Sequence, residues 1–229
     1  MISDLKKEVF EANMMLKKNS LVTLTWGNVS GIDREKGVVI IKPSGVEYDT
    51  MKWEDMLVVS LDTGRVFEPG LKPSSDTPTH LEIYRNFNDI SGLVHTHSRF
   101  ATVMAQGGYE IPALGTTHAD YFFGSVPCTR NLTREEIEND YEINTGKIIV
   151  ETFKDINPSD IPAVLVRGHG PFCWGESPKR AVENALVLEE ISFMAYHNLL
   201  IDRDIEPVSQ TLLYRHYYRK HGENAYYGQ

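Results

Sequence analysis

An α/β domain built on an antiparallel or mixed sheet is what this chain predicts, on three observations. Short apolar runs alternate with tight-turn signals, amphipathic stretches lie between and after them, and nothing divides the chain. With 229 residues and no repeat, low-complexity tract or linker, residues 1–229 read as a single domain with room for a substantial core. Hairpin signals outnumber strand–helix–strand units, hence the expectation of antiparallel or mixed pairing.

Taken in order, residues 3–18 read as a helix: Ser3 can cap it, and Leu5, Val9, Ala12 and Leu16 fall on one stripe. Val22-Thr23-Leu24-Thr25 and Gly27-Asn28-Val29-Ser30 follow. Val38-Val39-Ile40-Ile41 comes after a Lys36-Gly37 turn, which predicts a hairpin. Residues 57–61 and 65–67 flank Asp62-Thr63-Gly64, a second hairpin signal. A helix over 77–87 starts near Pro78, because proline suits a first helical turn. Gly92-Leu93-Val94 leads a strand over 92–96, and a helix follows at 98–106. Thr133 and Glu136 have capping-box spacing and open a helix toward 145, which Thr145-Gly146 is expected to break before a second piece reaches 153. Residues 163–166 and 171–174 read as strands. Pro178 opens a long helix to about 200, apolar over a wide face, and a last helix covers 207–220.

Composition narrows the function. A net charge of −9 speaks against nucleic-acid binding, which needs a basic footprint, while leaving room for a local basic pocket for one small phosphate. Two cysteines, Cys128 and Cys173, fit a reducing cytoplasm better than a disulfide scaffold. Residues 1–7 lack an apolar signal core, and no run approaches the roughly 20 apolar residues of a membrane span.

The chemistry concentrates in histidines. His95 and His97 lie two apart at the end of a strand, so both point to one face and can grip one ion. Alone, the pair is equally compatible with packing or hydrogen bonding. His169 sits between Gly168 and Gly170, where bare backbone permits close approach, and Asp76 adds a carboxylate from Ser74-Ser75-Asp76. Together the four suit Zn²⁺ first, then Mn²⁺ or Co²⁺. His80 and His197 fall on expected helices and read as locally bonded. Three small polar loops, Gly27-Asn28, Lys42-Pro43-Ser44-Gly45 and Ser74-Ser75, can each form an anion-binding nest or simply turn the chain. Asp120, in Thr116-Thr117-His118-Ala119-Asp120-Tyr121, is either a proton-transfer group or a turn cap. Tyr226-Tyr227 either packs on its own subunit or reaches a neighbour's site.

These stretches resemble the class II aldolase/epimerase family, within it the branch that epimerises L-ribulose 5-phosphate at carbon 4. The resemblance rests on Thr25-Trp26-Gly27-Asn28-Val29-Ser30, Ile41-Lys42-Pro43-Ser44-Gly45-Val46, Lys72-Pro73-Ser74-Ser75-Asp76-Thr77-Pro78-Thr79-His80 and Val94-His95-Thr96-His97-Ser98. It extends through Gly115-Thr116-Thr117-His118-Ala119-Asp120-Tyr121-Phe122, Gly168-His169-Gly170-Pro171-Phe172 and the tail from Arg219 to Gln229, so it spans nearly the whole chain in order. It implies a three-layer α/β/α domain with a central, largely antiparallel sheet. It implies a divalent ion, Zn²⁺ first, on Asp76, His95, His97 and His169, and contacts to a pentulose 5-phosphate from Gly27, Asn28, Ser44, Gly45, Ser74 and Ser75, with Lys42 close by. Asp120 and Tyr227 match the family's proton-transfer residues, and His216 matches one brought from a neighbouring subunit toward the phosphate. The family's homotetramers carry active sites at subunit interfaces. Aldolases of the fuculose-phosphate type have a glutamate base where this chain has Asp76, which favours the epimerase over the nearest rival, a class II sugar-phosphate aldolase.

The expected reaction follows from the substrate. The C4–H of a 2-ketopentose phosphate is not activated by the ketone, so inversion needs either transient oxidation or cleavage and re-formation of the C3–C4 bond. A G-x-G-x-x-G nicotinamide fingerprint is absent. A retro-aldol route, served by a cation that stabilises an enediolate, is therefore expected. A non-catalytic sugar-phosphate binder is the alternative from a different class; it would not need Asp120 or Tyr227.

Overall fold

In the computed structural model, which describes residues 1–222, 225 and 226, six strands form one sheet: β1 (Asn28–Asp33), β2 (Val38–Ile41), β3 (Leu57–Ser60), β4 (Gly92–His95), β5 (Ala163–Leu165) and β6 (Pro171–Gly175). Their order is β3-β2-β1-β4-β6-β5, and every neighbouring pair is antiparallel. Among the described residues the helices are α1 (Ile2–Lys18), α2 (Thr77–Asn86), α3 (Arg99–Gly107), α4 (Thr116–Ala119), α5 (Arg134–Glu138), α6 (Tyr141–Thr152), α7 (Pro178–Ile201) and α8 (Gln210–His221).

Alternation along the strands assigns the two faces. Gly31 and Gly92, paired across β1 and β4, lie under α1 and α7. A Cβ at Gly92 would sit 2.3 Å from the Ser177 carbonyl oxygen, and one at Gly31 2.9 Å from Val9 and Pro178. Glycine at these places lets the helices approach the sheet. On the opposite face, Ser30 bonds His80 and Tyr84 of α2, while Trp174 packs edge-on against Phe87 and Phe153. Helices thus cover both faces of a fully antiparallel sheet, the fold class expected. The main core runs through both layers, from Val29, Leu93 and Val94 to Leu81, Ile149 and Leu188.

Several local expectations change. Residues 22–25 stay outside the sheet: Leu24 has φ 54° and the Trp26 N–H donates to the Thr23 carbonyl, closing a turn. The second hairpin keeps only a stub of its return arm, a Val59–Val66 bridge. The break in the 133–153 helix falls at Asn139-Asp140, with Asp140 left-handed at φ 51°. Gly146 stays helical and serves as a contact point: its Cβ would lie 2.5 Å from that of Glu82, so its bareness lets α6 pack on α2. The capping box at Thr133 and Glu136 forms as expected.

Two caps hold the helices around the sheet. The Arg34 guanidinium donates to the carbonyls of Tyr84, Phe87 and Ile90 at the end of α2. Glu189 of α7 accepts from the Phe100 and Ala101 N–H groups, placing negative charge at the N-terminus of α3. Overpacking at the sheet–helix contact is the sharpest stability test. Gly92→Ala is expected to cost about 2–3 kcal/mol or more in urea unfolding, because its methyl meets backbone rather than a side chain that can swing away. Gly115→Ala has nothing within 4 Å but alters the N-cap of α4, and is expected to cost less, about 0.5–1 kcal/mol.

Candidate metal centre

Three imidazoles converge at the end of β4. His95 and His97 present their Nε2 atoms to each other at 3.1 Å, and His169 completes a group whose donor atoms all lie within 4.8 Å of one another. His169 arrives on a turn between β5 and β6. Gly168, at φ +74°, takes a conformation side chains rarely adopt, and a Cβ at Gly170 would lie 2.8 Å from the Thr96 carbonyl oxygen. The two flanking glycines thus bring the turn against the His95–His97 segment, as their spacing suggested.

The donor set fits a divalent ion. His95 Nδ1–H donates to the Pro171 carbonyl at 2.9 Å, leaving the Nε2 lone pair toward the centre. Phe172 stacks under the same ring at 4.2 Å. Tetrahedral Zn²⁺ with Zn–N near 2.0–2.1 Å separates its ligand nitrogens by about 3.4 Å, near the 3.1 Å between His95 and His97. Protonation agrees with that use. Burial, with His95 beside it, holds His97 below the ordinary histidine value. Burial, then His95 and His97, pushes His169 down to about 3. Both rings are neutral near pH 7, the form that ligates.

Asp76 caps the start of α2 and lines the same cleft. Its carboxylate stands beside the nitrogen cluster rather than within it: Oδ2 accepts from Asn28 Nδ2 at 2.7 Å and from Ser74 Oγ at 3.4 Å. Burial works to raise its pKa, but His95, His80 and Asn28 outweigh that and hold it below the usual carboxylate value.

The cleft holds about 460 Å³ and gathers Gly27, Asn28, Lys42, Ser44, Gly45, Ser74, Ser75, Asp76, His95, His97 and His169. The three polar loops are laced together. Ser44 N–H donates to Lys72, and Ser74 N–H to Lys42. Lys42 is 1% exposed, and its ammonium donates to the carbonyls of Val46, Pro43 and Thr25 while lying over the Tyr48 ring. Tyr48 Oη in turn donates to Trp26 and Gly27. Lys42 therefore ties the loops together from below, a different task from offering a free charge to a phosphate.

Thr25, Trp26 and Pro43 line the cleft beside the expected loop residues, and Tyr141 and Glu142 at the start of α6 join it from outside every expected segment. The Tyr141 hydroxyl lies 3.4 Å from His169 Nδ1. No local pattern marks Tyr141 and Glu142; they reach the cleft because Gly146 lets α6 lie against α2. His80 also departs from expectation, since its ring bonds Ser30 across the sheet interface, whereas His197 bonds locally to Phe193.

Asp120 and His216 lie elsewhere in the subunit. Asp120 ends α4 and accepts from Arg219 Nε and Nη2 at 2.9 and 2.6 Å and from His216 Nδ1 at 3.1 Å, all on α8. Burial works to raise its pKa, but Arg219 and His216 hold it below the ordinary value. Neither Asp120 nor His216 lines the cleft of its own chain. Tyr227 lies outside the described residues.

A fully antiparallel sheet between helices, with three histidines at the end of its central strand and amide-rich loops opposite, defines a class II aldolase scaffold. Residues 7–196 match the family described as Class II Aldolase and Adducin N-terminal domain, and the chain belongs to that family. It is 55% identical over 225 residues, 98% of each chain, to the L-ribulose-5-phosphate 4-epimerase UlaF of Salmonella paratyphi C (strain RKS4594). A solved L-fuculose 1-phosphate aldolase superposes with a TM-score of 0.73 at 25% identity, covering 93% of this chain and 94% of that one. For the L-fuculose 1-phosphate aldolase from Glaciozyma antarctica PI12, the TM-score is 0.76 at 16% identity over 97% and 84% of the two chains, a likeness of fold alone.

Replacing His97 with Asn is expected to abolish stoichiometric metal retention after dialysis, read by elemental analysis, with the unfolding midpoint of the metal-free protein nearly unchanged. Acid sensitivity is the second expectation. Burial pushes His118 down to about 4 and His80 to about 3, so the fold keeps both neutral. Unfolded histidine titrates near 6.5, so below that pH the unfolded chain takes up protons that the fold refuses. Stability of the metal-free protein should thus fall as pH drops from about 6.5 toward 4, and His118→Gln should flatten the slope in urea titrations at successive pH values.

Proposed function

We propose that this protein is a metal-dependent epimerase that interconverts L-ribulose 5-phosphate and D-xylulose 5-phosphate by cleaving and remaking the C3–C4 bond. The observation that carries the reading is 55% identity to a named 4-epimerase across 98% of both chains. The site adds chemical support: a histidine cluster stands beside loops suited to a phosphate ester.

The ion is Zn²⁺ by preference, with Mn²⁺ or Co²⁺ as alternatives, held by His95, His97, His169 and Asp76. When bound, it supplies positive charge beside the oxygens on which negative charge develops. The chain's own residues supply the rest. Backbone amides of Gly45 and Ser75 and the hydroxyls of Ser44 and Ser75 hold the phosphate. A tethered glycolaldehyde phosphate can then turn its aldehyde face without leaving. Asn28 and Ser74 orient Asp76 and the substrate oxygens near it. Asp120 and Tyr227 move protons on opposite faces of the aldehyde, which inversion requires.

Asp120 serves that role from a neighbouring copy, and His216 reaches the phosphate from there, because in their own chain both stand apart from the cleft. Such sharing needs more than one copy, and the resemblance to the family makes a homotetramer the assembly we propose. Exposed Leu24, Trp26, Phe193, Met194, Tyr214 and Tyr218 offer apolar surface for such contacts. A cytoplasmic setting fits the two free thiols, Cys128 and Cys173.

Two measurements test the proposal. A coupled assay on L-ribulose 5-phosphate is expected to show epimerisation that a chelator abolishes and Zn²⁺ or Mn²⁺ restores. Faster release of free aldehyde than of epimer would replace the reading with an aldolase. Mixing inactive His97→Asn and Asp120→Asn subunits should restore about one quarter of wild-type activity, since that fraction of interfaces in a random ring pairs both intact residues. No recovery after verified exchange would place Asp120 outside a shared site.

A further inference from the structure

We infer that His80, a buried residue that touches no substrate, is a positioning residue for the Asp76 carboxylate, with its Nε2–H as the donor. The inference rests on the reading of Asp76 as the fourth ligand. His80 follows Asp76 by one turn of α2, and its backbone N–H donates to the Asp76 carbonyl at 3.0 Å. Residues four apart share a helix face. The imidazole is 0% exposed.

Its protonation is set by a chain of hydroxyls. Tyr84 is fully buried, and its hydroxyl has one partner among the described residues, Ser30 Oγ at 2.9 Å. A buried phenol with a single partner donates its proton there. Ser30 then has its own proton for the other neighbour, His80 Nδ1, at 2.7 Å. Nδ1 accepts, so the imidazole hydrogen belongs on Nε2. That atom is buried and has no hydrogen-bond partner among the described residues.

The Asp76 carboxylate is in the complementary condition. Asn28 and Ser74 occupy Asp76 Oδ2, and no hydrogen bond reaches Oδ1 among the described residues. The backbone bond from His80 to Asp76 sets the two side chains one helical turn apart on the same side of α2. A buried donor without an acceptor costs free energy. A carboxylate turned inward, directly or through one water, relieves that cost. His80 and a cation therefore favour the same Asp76 orientation, and the Tyr84–Ser30 relay keeps the hydrogen on the nitrogen where it is useful.

The test measures Zn²⁺ affinity by chelator competition in His80→Phe, Ser30→Ala and Asp76→Ala, together with imidazole ¹⁵N shifts of the wild-type protein. His80→Phe and Ser30→Ala are expected to bind Zn²⁺ about 10- to 100-fold more weakly, and the spectrum is expected to show His80 as the Nε2–H tautomer. Unchanged affinity in both variants, or an Nδ1–H tautomer, overturns the inference. If His80→Phe fails to fold, Ser30→Ala and the spectrum decide. Unchanged affinity in Asp76→Ala would instead overturn the ligand reading itself. Weakened Asp76→Ala beside unaltered His80→Phe and Ser30→Ala would overturn only the role given to His80.

Discussion

The register of β4 between β1 and β6 is the constraint on which the site depends. It sets Asn28, His95 and Phe172 side by side across three strands. From that row follow the bond from Asn28 to Asp76, the stacking of Phe172 under His95, and the Pro171 carbonyl that fixes the His95 tautomer. A slip of one residue would turn His95 toward α7 and put an apolar neighbour at the cleft. The glycines on the opposite face protect the register, because Gly31 and Gly92 accept α1 and α7 only at this alignment.

Burial decides the electrostatics of the centre. Burial keeps His97 and His169 uncharged, which leaves their lone pairs available and limits repulsion within the cluster. The same desolvation works to raise the Asp76 pKa, yet His95, His80 and the Asn28 amide outweigh it and hold the carboxyl below its usual value. A cluster of histidine nitrogens with the Asp76 carboxylate beside it leaves a local charge favourable to a dication. In contrast, Asp120 is ionised by direct pairing with Arg219 and His216, at a place remote from this cleft in its own chain.

Much of this was legible in the chain. Turn signals at Lys36-Gly37, the Thr133 capping box and Pro178 gave elements at nearly their observed positions, because local chemistry governs such features. The histidine cluster was legible because strand alternation joins His95 to His97 and the glycines beside His169 announce close packing. What escaped depends on contacts between distant segments. Gly146 looks like a helix breaker until α2 is seen against it, and Tyr141 and Glu142 enter the cleft only through that packing. Lys42 reads as a phosphate ligand because nothing local reveals the carbonyls that surround its ammonium. His80 looks locally bonded because its partner, Ser30, is fifty positions away.

The buried Lys42 has a consequence for recognition. Its ammonium, together with Tyr48, holds the backbone of two turns, residues 25–27 and 43–46, in one arrangement, and main-chain bonds join the Ser74 loop to them. A ligand entering this cradle meets amides already aimed, so little of its binding energy is diverted into ordering the chain. With these loops as the proposed phosphate cradle, affinity and architecture would be fused at one side chain: shortening it would loosen the grip on an anion without removing a single group that touches it.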